Sequence, residues 1–285
     1  KFADNRRTEI VVQKEEIEIE DLIVEEDMVV TITGSGYIKR QPASGYRRQG
    51  RGGRGVTAID TKEEDFVEHL FVASSKDTLL IFTNEGKVYP IKTYEIPPGS
   101  RVSRGRAIVN LLSLSGEEKI TTVLGIKEFL PSQFIVMATK GGIIKRCSLE
   151  LFSNIRKNGI IAIGLDKDDR LIGAGLGGER DEVILATQKG FAIRFPLKNI
   201  RPTGRQSQGV RGVRLTKGDI VVGMVLLAGG LKKTEAYILT ATENGFAKRT
   251  KVEEYRIQSR GGKGIKNIKP VSYTHLRAHE TPEHL

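Results

Sequence analysis

The sequence predicts an all-β protein, a propeller-like ring of repeated four-stranded blades. Three observations carry that prediction. A short turn motif recurs five times, an apolar run rich in Val, Ile, Phe and Thr precedes each copy, and helical periodicity is weak throughout the body. The motif is Thr, two variable residues, Gly, and then a strand that is usually basic. It reads TGSGYIKR (Thr33–Arg40), TNEGKVYPI (Thr83–Ile91), TKGGIIKR (Thr139–Arg146), TQKGFAIRF (Thr187–Phe195) and TENGFAKRT (Thr242–Thr250). Successive threonines stand 50, 56, 48 and 55 residues apart, which sets a unit of about 50 residues.

Taken in order, residues 1–27 are expected to be an acidic leader, with four Lys or Arg against ten Asp or Glu. Residues 28–270 carry the repeats. Within the second unit, LLIF leads into the turn TNEG and KVYPI returns from it. The loop PPGSRVSRG follows, then AIVNLL, a turn at SGEE, and ITTVLGI, giving four short strands with strand-and-turn composition. The fifth unit breaks off after IKNIKP, so the last blade is expected to be incomplete. Residues 271–285, VSYTHLRAHETPEHL, hold three of the four histidines and show no strand pattern, so they are set apart as a foreign or untypical tail.

A second slot repeats inside the unit. Nineteen residues beyond the motif glycine lies another glycine: Gly55, Gly105, Gly209 and Gly264, with Gly159 at seventeen in the third copy. In the first and fifth units this slot closes a shared decapeptide, YRRQGRGGRG from Tyr46 and YRIQSRGGKG from Tyr255, identical at seven of ten positions. Glycines let the backbone take positive φ and approach a ligand closely, and flanking arginines grip phosphate oxygens as forked donors. For Gly52, Gly53 and Gly55 that reading suggests an anion-holding concavity. For Gly105 and Gly159, which lack neighbouring repeats of the decapeptide, turn geometry alone is a sufficient explanation.

Charge follows the same register. The net charge is +11, and because the leader contributes −6 the remainder carries +17. The cations recur at one topological position, the loop before the second glycine, which a merely solvated surface has no reason to do; the ring therefore calls for a polyanion. Candidate contacts to that polyanion, nucleic acid being the first candidate, are in the first unit Lys39, Arg40, Arg47, Arg48, Gln49, Arg51, Gly52, Gly53, Arg54 and Gly55. The third unit offers Lys145, Arg146, Arg156 and Lys157, and the fourth Arg194, Lys198, Arg201, Arg205, Arg211 and Arg214. The fifth offers Lys248, Arg249, Arg256, Arg260 and Lys263, while the second copy is the weakest.

Other chemistries find little support. Gly50–Gly55 and Gly173–Gly178 fit G-x-G-x-x-G, yet neither sits between a strand and a helix. No P-loop signature occurs, and no nucleophile–base pair or metal-ligand spacing is visible. His69 lies in the apolar run FVEHLFVA and reads as structural. Cys147, the single cysteine, reads as a packing residue and fits a reducing compartment. No secretory signal or bilayer-spanning apolar run is apparent.

The segment QGRGGRG (Gln49–Gly55) resembles the signature box Q-R-R-G-G-K-G of the C-terminal domain of the DNA gyrase A subunit. The run from Glu26 to Val56 resembles that domain's first blade, and the likeness extends through about Pro270. ADNRRTEI (Ala3–Ile10) resembles the end of the preceding breakage–reunion domain. The resemblance implies a six-bladed β-pinwheel whose blades exchange strands. Such a ring wraps double-stranded DNA around its basic rim with positive handedness and without sequence specificity, so that ATP-driven turnover introduces negative supercoils. The box, which completes wrapping in the family, maps onto Gln49, Arg51, Gly52, Gly53, Arg54 and Gly55. Gly50 replaces its second residue, with Arg47 and Arg48 just upstream. The parent assembly implied is two A and two B subunits in the bacterial cytoplasm, on the nucleoid. Its catalytic tyrosine, ATP and Mg2+ belong to other domains, so neither catalytic residue nor cofactor is expected in this chain.

Two alternatives differ in what they require. The equivalent domain of topoisomerase IV typically lacks an intact box. A scaffold propeller binding protein or RNA needs a broad aromatic or apolar patch, and this chain has no Trp and 6% aromatics. Tyr46 and Tyr255 are its only good stacking candidates. A further expectation concerns the leader: if its acids compete with DNA for the basic rim, deletion of residues 1–20 tightens DNA binding.

Overall fold

In the computed structural model, the structure describes residues 19–46, 65–100, 102–116, 118–232, 235–243, 245–269 and the backbone of 276–279. The first unit contributes β1 (Asp27–Thr33), β2 (Tyr37–Pro42) and β3 (Val67–Ser74). The second contributes β4 (Thr78–Thr83), β5 (Lys87–Lys92), β6 (Arg106–Ala107) and β7 (Ile120–Ile126). The third holds β8 (Gln133–Thr139), β9 (Ile143–Ser148), β10 (Ile160–Ile161) and β11 (Leu171–Gly178). The fourth holds β12 (Glu182–Thr187), β13 (Phe191–Pro196), β14 (Val210–Arg211) and β15 (Val221–Leu227). The fifth holds β16 (Tyr237–Thr242), β17 (Ala247–Lys251) and β18 (Ile265–Lys266), followed by β19 (Leu276–His279).

The recurring motif is a hairpin turn. The motif glycine donates its N–H to the threonine carbonyl, as Gly36 does to Thr33 and Gly142 to Thr139. The threonine hydroxyl oxygen accepts the next amide, from Tyr37, Ile143, Phe191 and Phe246 in turn. This double use of Thr explains why that residue opens the motif.

Among the described residues the named strands pair antiparallel with one another, two isolated parallel bridges (Arg40 with Pro98, Arg194 with Ile257) lie outside those ladders, and the sheets run β3-β1-β2-β6, β10-β5-β4-β7, β11-β8-β9-β14, β15-β12-β13-β18 and β17-β16-β19. The fold is therefore all-β with four-stranded blades, and the fifth sheet is incomplete among the described residues. The four strands of one unit do not share one sheet. β6 belongs to the second unit but pairs with β2 of the first, and β10, β14 and β18 likewise cross to β5, β9 and β13 of the unit before. The run AIVNLL is a strand only at Ala107; Ile108–Asn110 turn into a 3-10 helix that leads the chain back.

The core lies between blades. Along β4, Leu79 and Ile81 pack with Val30, Ile32 and Ile38 of the first blade. Leu80 and Phe82, pointing the other way, pack with Ile135, Met137 and Cys147 of the third. Strands covered on both faces read as unbroken apolar runs instead of alternating ones, which matches these sequences. At the inner end β7 lies beside β11, and β11 beside β15. A Cβ at Gly175 would come 2.6 Å from Leu226 Cδ1 on β15, so this glycine serves the close approach of two inner strands.

Leu276–His279 fall in the tail set apart from the fold, yet they pair antiparallel with β16, Leu239 opposite His279 and Thr242 opposite Leu276. β16 is the middle strand of its sheet, and the backbone of this segment fills the edge that β15 fills on β12.

Candidate nucleic-acid interface

The basic loops leave β5, β9, β13 and β17 through short 3-10 turns and end on the donated strands. The donated strand is the edge opposite the inner strand of each sheet, so these loops lie on the outer rim. The glycine before each donated strand has positive φ: +88° at Gly105, +74° at Gly159, +104° at Gly209 and +82° at Gly264. At Gly105 and Gly264 a side chain would also overlap a carbonyl oxygen of the receiving strand, at Ile38 and Ala192. Turn geometry thus explains this slot in the fifth unit as well as at Gly105 and Gly159.

Among the described residues, the exposed candidate cations lie in the last three units. Arg156 and Lys157 are exposed in the third unit, and Lys157 Nζ lies 3.0 Å from Glu95 Oε1. In the fourth, Lys198, Arg201, Arg211 and Arg214 are exposed and Arg205 is half-buried. In the fifth, Lys248, Arg249, Arg256, Arg260 and Lys263 are exposed. The Arg249 guanidinium carbon sits over the Tyr237 ring, 3.9 Å from its centroid, and Arg260 Nε donates to Asn199 O of the unit before at 3.0 Å.

Backbone bonds join neighbouring loops into one surface. Gly164 N donates to Ser207 O at 3.1 Å, Gly261 N to Gly212 O at 2.7 Å and Arg214 N to Gly262 O at 2.8 Å. Loop spacing is thereby fixed by the chain itself, and adjacent clusters of exposed cations are carried on bonded neighbouring loops.

Four of the sequence-predicted contacts lie elsewhere. Lys39 and Lys145 are fully buried, and Arg146 and Arg194 are 3% and 4% exposed. Lys39 Nζ donates to Ser100 O and Ser103 O, and Lys145 Nζ to Ala162 O, Ser207 O and Arg205 O. Burial lowers both lysine pKa values below the ordinary 10.5. Arg194 binds Glu182 and the carbonyls of Val252 and Tyr255, and Arg146 reaches Glu179 at 2.7 Å. Arg40 is half-buried, with donors on Ile96 O and Tyr94 O. A β-strand covered on both faces leaves its charged residues buried against partners in its own or the next unit, so charge counting alone misplaces these side chains on the surface.

Arg47, Arg48, Gln49, Arg51, Gly52, Gly53, Arg54 and Gly55 lie outside the described residues. Charge counting also passed over Arg104 and Arg106. Arg106 is exposed on β6, and the Arg104 guanidinium sits 5.3 Å from the Tyr37 centroid. The signal that finds them is position in the repeat, since β6 occupies the place of β14 and β18, which carry Arg211 and Lys266.

The remaining candidates are structural. Tyr255 is buried and donates its hydroxyl to Asn267 Oδ1 at 2.6 Å, so it offers no stacking face; half-buried Tyr46 donates to Gln41 Oε1 at 2.6 Å. In the second unit Tyr89 takes the place of Lys39 and Lys145, and its hydroxyl donates to Glu118 Oε2 at 2.7 Å. Lys87 pairs with the same carboxylate at 2.5 Å. Burial opposes the ionised form of Glu118, yet these partners and the Ser115 amide hold its pKa below the ordinary 4.5. Burial raises the Cys147 thiol above its usual range, against the opposing pull of Lys145. Among the described residues no group of three or more His, Cys, Asp or Glu could hold a metal ion.

Comparison with known proteins agrees with this architecture. The family described as DNA gyrase C-terminal domain, beta-propeller, matches residues 27–74, 77–127, 133–176, 181–228 and 236–271, one segment per blade. The DNA gyrase A subunit of Staphylococcus epidermidis is 46% identical over 268 residues, which is 93% of this chain and 30% of that relative. The chain thus spans under a third of the length of the curated relatives it matches. A crystal structure of the C-terminal domain of DNA topoisomerase IV superposes with TM-score 0.74 at 25% identity, covering 90% of this chain and 79% of that one. A DNA gyrase A C-terminal domain superposes with TM-score 0.57 at 24% identity, covering 88% and 98%, a likeness of fold. With five family segments, each falling on one repeat unit of this strand-exchanging fold, the chain belongs to the family of the DNA gyrase C-terminal domain.

Proposed function

We propose that this chain binds double-stranded DNA through its phosphates along the outer rim and wraps it with positive handedness. In the parent enzyme that wrap presents a DNA segment for passage, and ATP-driven turnover leaves negative supercoils. The single observation that carries the reading is the joined surface of exposed cations in the fourth and fifth units, Arg201, Arg211 and Arg214 beside Arg256, Arg260 and Lys263. Smooth bending of 20–30 bp by 40–90° costs on the order of 1–6 kcal/mol, and a longer wrap costs several times that. Many phosphate contacts at a fixed spacing offset such a cost, and no base readout is needed. Assembly into a tetramer of two A and two B subunits, with ATP and Mg2+ held by other domains, and residence in the bacterial cytoplasm all belong to this reading.

The test uses a relaxed circular plasmid, this chain and a nicking-closing topoisomerase. The sign of the trapped linking change is read after deproteinisation. A positive change that falls in Arg256→Ala/Arg260→Ala/Lys263→Ala, and in Arg51→Ala/Arg54→Ala, is expected. Binding with no linking change would reduce the role to DNA binding without wrapping, and no binding would favour the scaffold alternative. The topoisomerase IV reading draws on the 0.74 TM-score, against which stands the segment QGRGGRG. Loss of the linking change in the Arg51/Arg54 variant is the outcome that separates a working box from its absence.

A further inference from the structure

We propose that Lys39, Lys145 and Arg194 are positioning residues of the DNA interface, buried cations on one blade that hold the basic loop of the next by its backbone carbonyls. The proposal rests on the DNA-binding reading of those loops.

Lys145 stands on β9 of the third unit. Its ammonium donates to Ser207 O at 2.9 Å and to Arg205 O, both in the fourth unit's loop between Lys198 and Arg211, and to Ala162 O at 2.9 Å. Lys39 on β2 of the first unit does the same for the second, donating to Ser100 O at 3.0 Å and Ser103 O at 2.8 Å, beneath the loop that carries Arg104 and Arg106. Arg194 on β13 donates from Nη1 to Val252 O and Tyr255 O, both at 2.9 Å, at the root of the loop carrying Arg256, Arg260 and Lys263. Its remaining donors engage Glu182 Oε2 within the same blade.

The fold does not demand a cation at these places. Ile193 in the fourth unit occupies the position that Lys39 and Lys145 occupy in theirs, third after the motif glycine, and is fully buried. There the neighbouring residue, Arg194, supplies the reach across to the next unit. Burying a charge is costly unless its donors are satisfied. Among the described residues no carboxylate pairs with Lys145, so carbonyls are what satisfy it. Carbonyls drawn inward fix the loop backbone from beneath. The spacing between neighbouring clusters of exposed arginines is then set by sheet register and not by the loop's own sequence.

Such residues should govern wrapping more than local affinity. In Lys145→Met, amide exchange at Arg205–Ser207 is expected to speed up by about tenfold to hundredfold, the worth of a charged hydrogen bond, while the other blades keep their protection. The trapped linking change should fall, whereas affinity for a short linear duplex should be nearly unchanged because Arg201, Arg211 and Arg214 remain. Unchanged exchange at residues 205–207, or equal loss of linking change and short-duplex affinity, overturns the proposal. A measurement on the unaltered chain covers the case in which the variant does not fold. Under limiting acetic anhydride, Lys39 and Lys145 should react slowest with or without DNA, while Lys198 and Lys263 become protected by it. Fast reaction of Lys145 that DNA suppresses would make it a contact residue and sink the positioning role. If the unaltered chain gives no linking change, the wrapping reading fails alone, since exchange still decides whether Lys145 holds its loop.

Discussion

A methyl group at Gly105 meets the Ile38 carbonyl oxygen and sits on a backbone with φ of +88°, so two penalties act at one atom. Gly105→Ala is expected to cost about 1–3 kcal/mol. Gly45, whose Cβ position has nothing within 4 Å, is the control, and Gly45→Ala should stay within about 0.5 kcal/mol in the same urea titration. The buried Arg194–Glu182 pair, 2.5 Å apart, gives a second test. Glu182→Ala strands a buried guanidinium, and a loss of about 3–5 kcal/mol is expected by urea denaturation. His69 supplies the pH dependence. Burial lowers its pKa below the ordinary 6.5, outweighing the opposite pull of Glu68, and its Nε2 is buried without a partner among the described residues. The unfolded chain therefore takes up the proton first; stability is full above pH 6.5 and is lost as pH falls from there toward the folded pKa. His69→Leu should flatten that part of the curve, so the urea midpoint of the variant should fall less steeply than that of the unaltered chain below pH 6.5.

Among the described residues, four of the five blades are finished by a two-residue strand from the unit after them, so neighbouring blades share their stability. Truncation after Leu231 removes β18, which pairs Ile265 with Ala192 and Lys266 with Phe191. Amides along β13 should then exchange at least about tenfold faster, while those along β5 keep their protection because β10 remains. If β13 and β5 respond equally, the blades unfold as one cooperative body. The repeats, the hairpins and their order were legible in the sequence because Thr and Gly mark every turn in chemistry that only a tight turn needs. The exchange of the third strand was not legible from the residues, since Arg106–Ala107 and Val210–Arg211 are too short to show any period; the family resemblance supplied that expectation. The facing of Lys39, Lys145, Arg146 and Arg194 was hidden for a related reason. A strand covered on both sides has no polar face against which a buried cation would stand out.

For the ring as a whole, salt is the sharpest probe. Each neutralised phosphate contributes about 0.9 to the slope of log affinity against log salt, so the Arg256/Arg260/Lys263 triple alanine variant should reduce that slope by about 2–3. A slope unchanged within error would mean that those loops do not face DNA. The general region of charge was visible from residue counts, as was its register with the repeat. Which cations point outward needed the receiving strand, because the chain that carries a loop and the blade that anchors it are different units. That displacement also bears on how the protein is made. A blade emerging from a ribosome keeps β2, β5, β9 or β13 as an open edge until the following unit of about 50 residues has been synthesised. At about 5–20 residues per second that interval is about 3–10 s, long compared with hairpin formation. An unpaired edge is a template for another chain. Nascent copies on one message thus pass, blade by blade, through a window in which a neighbour's strand competes for the place of their own.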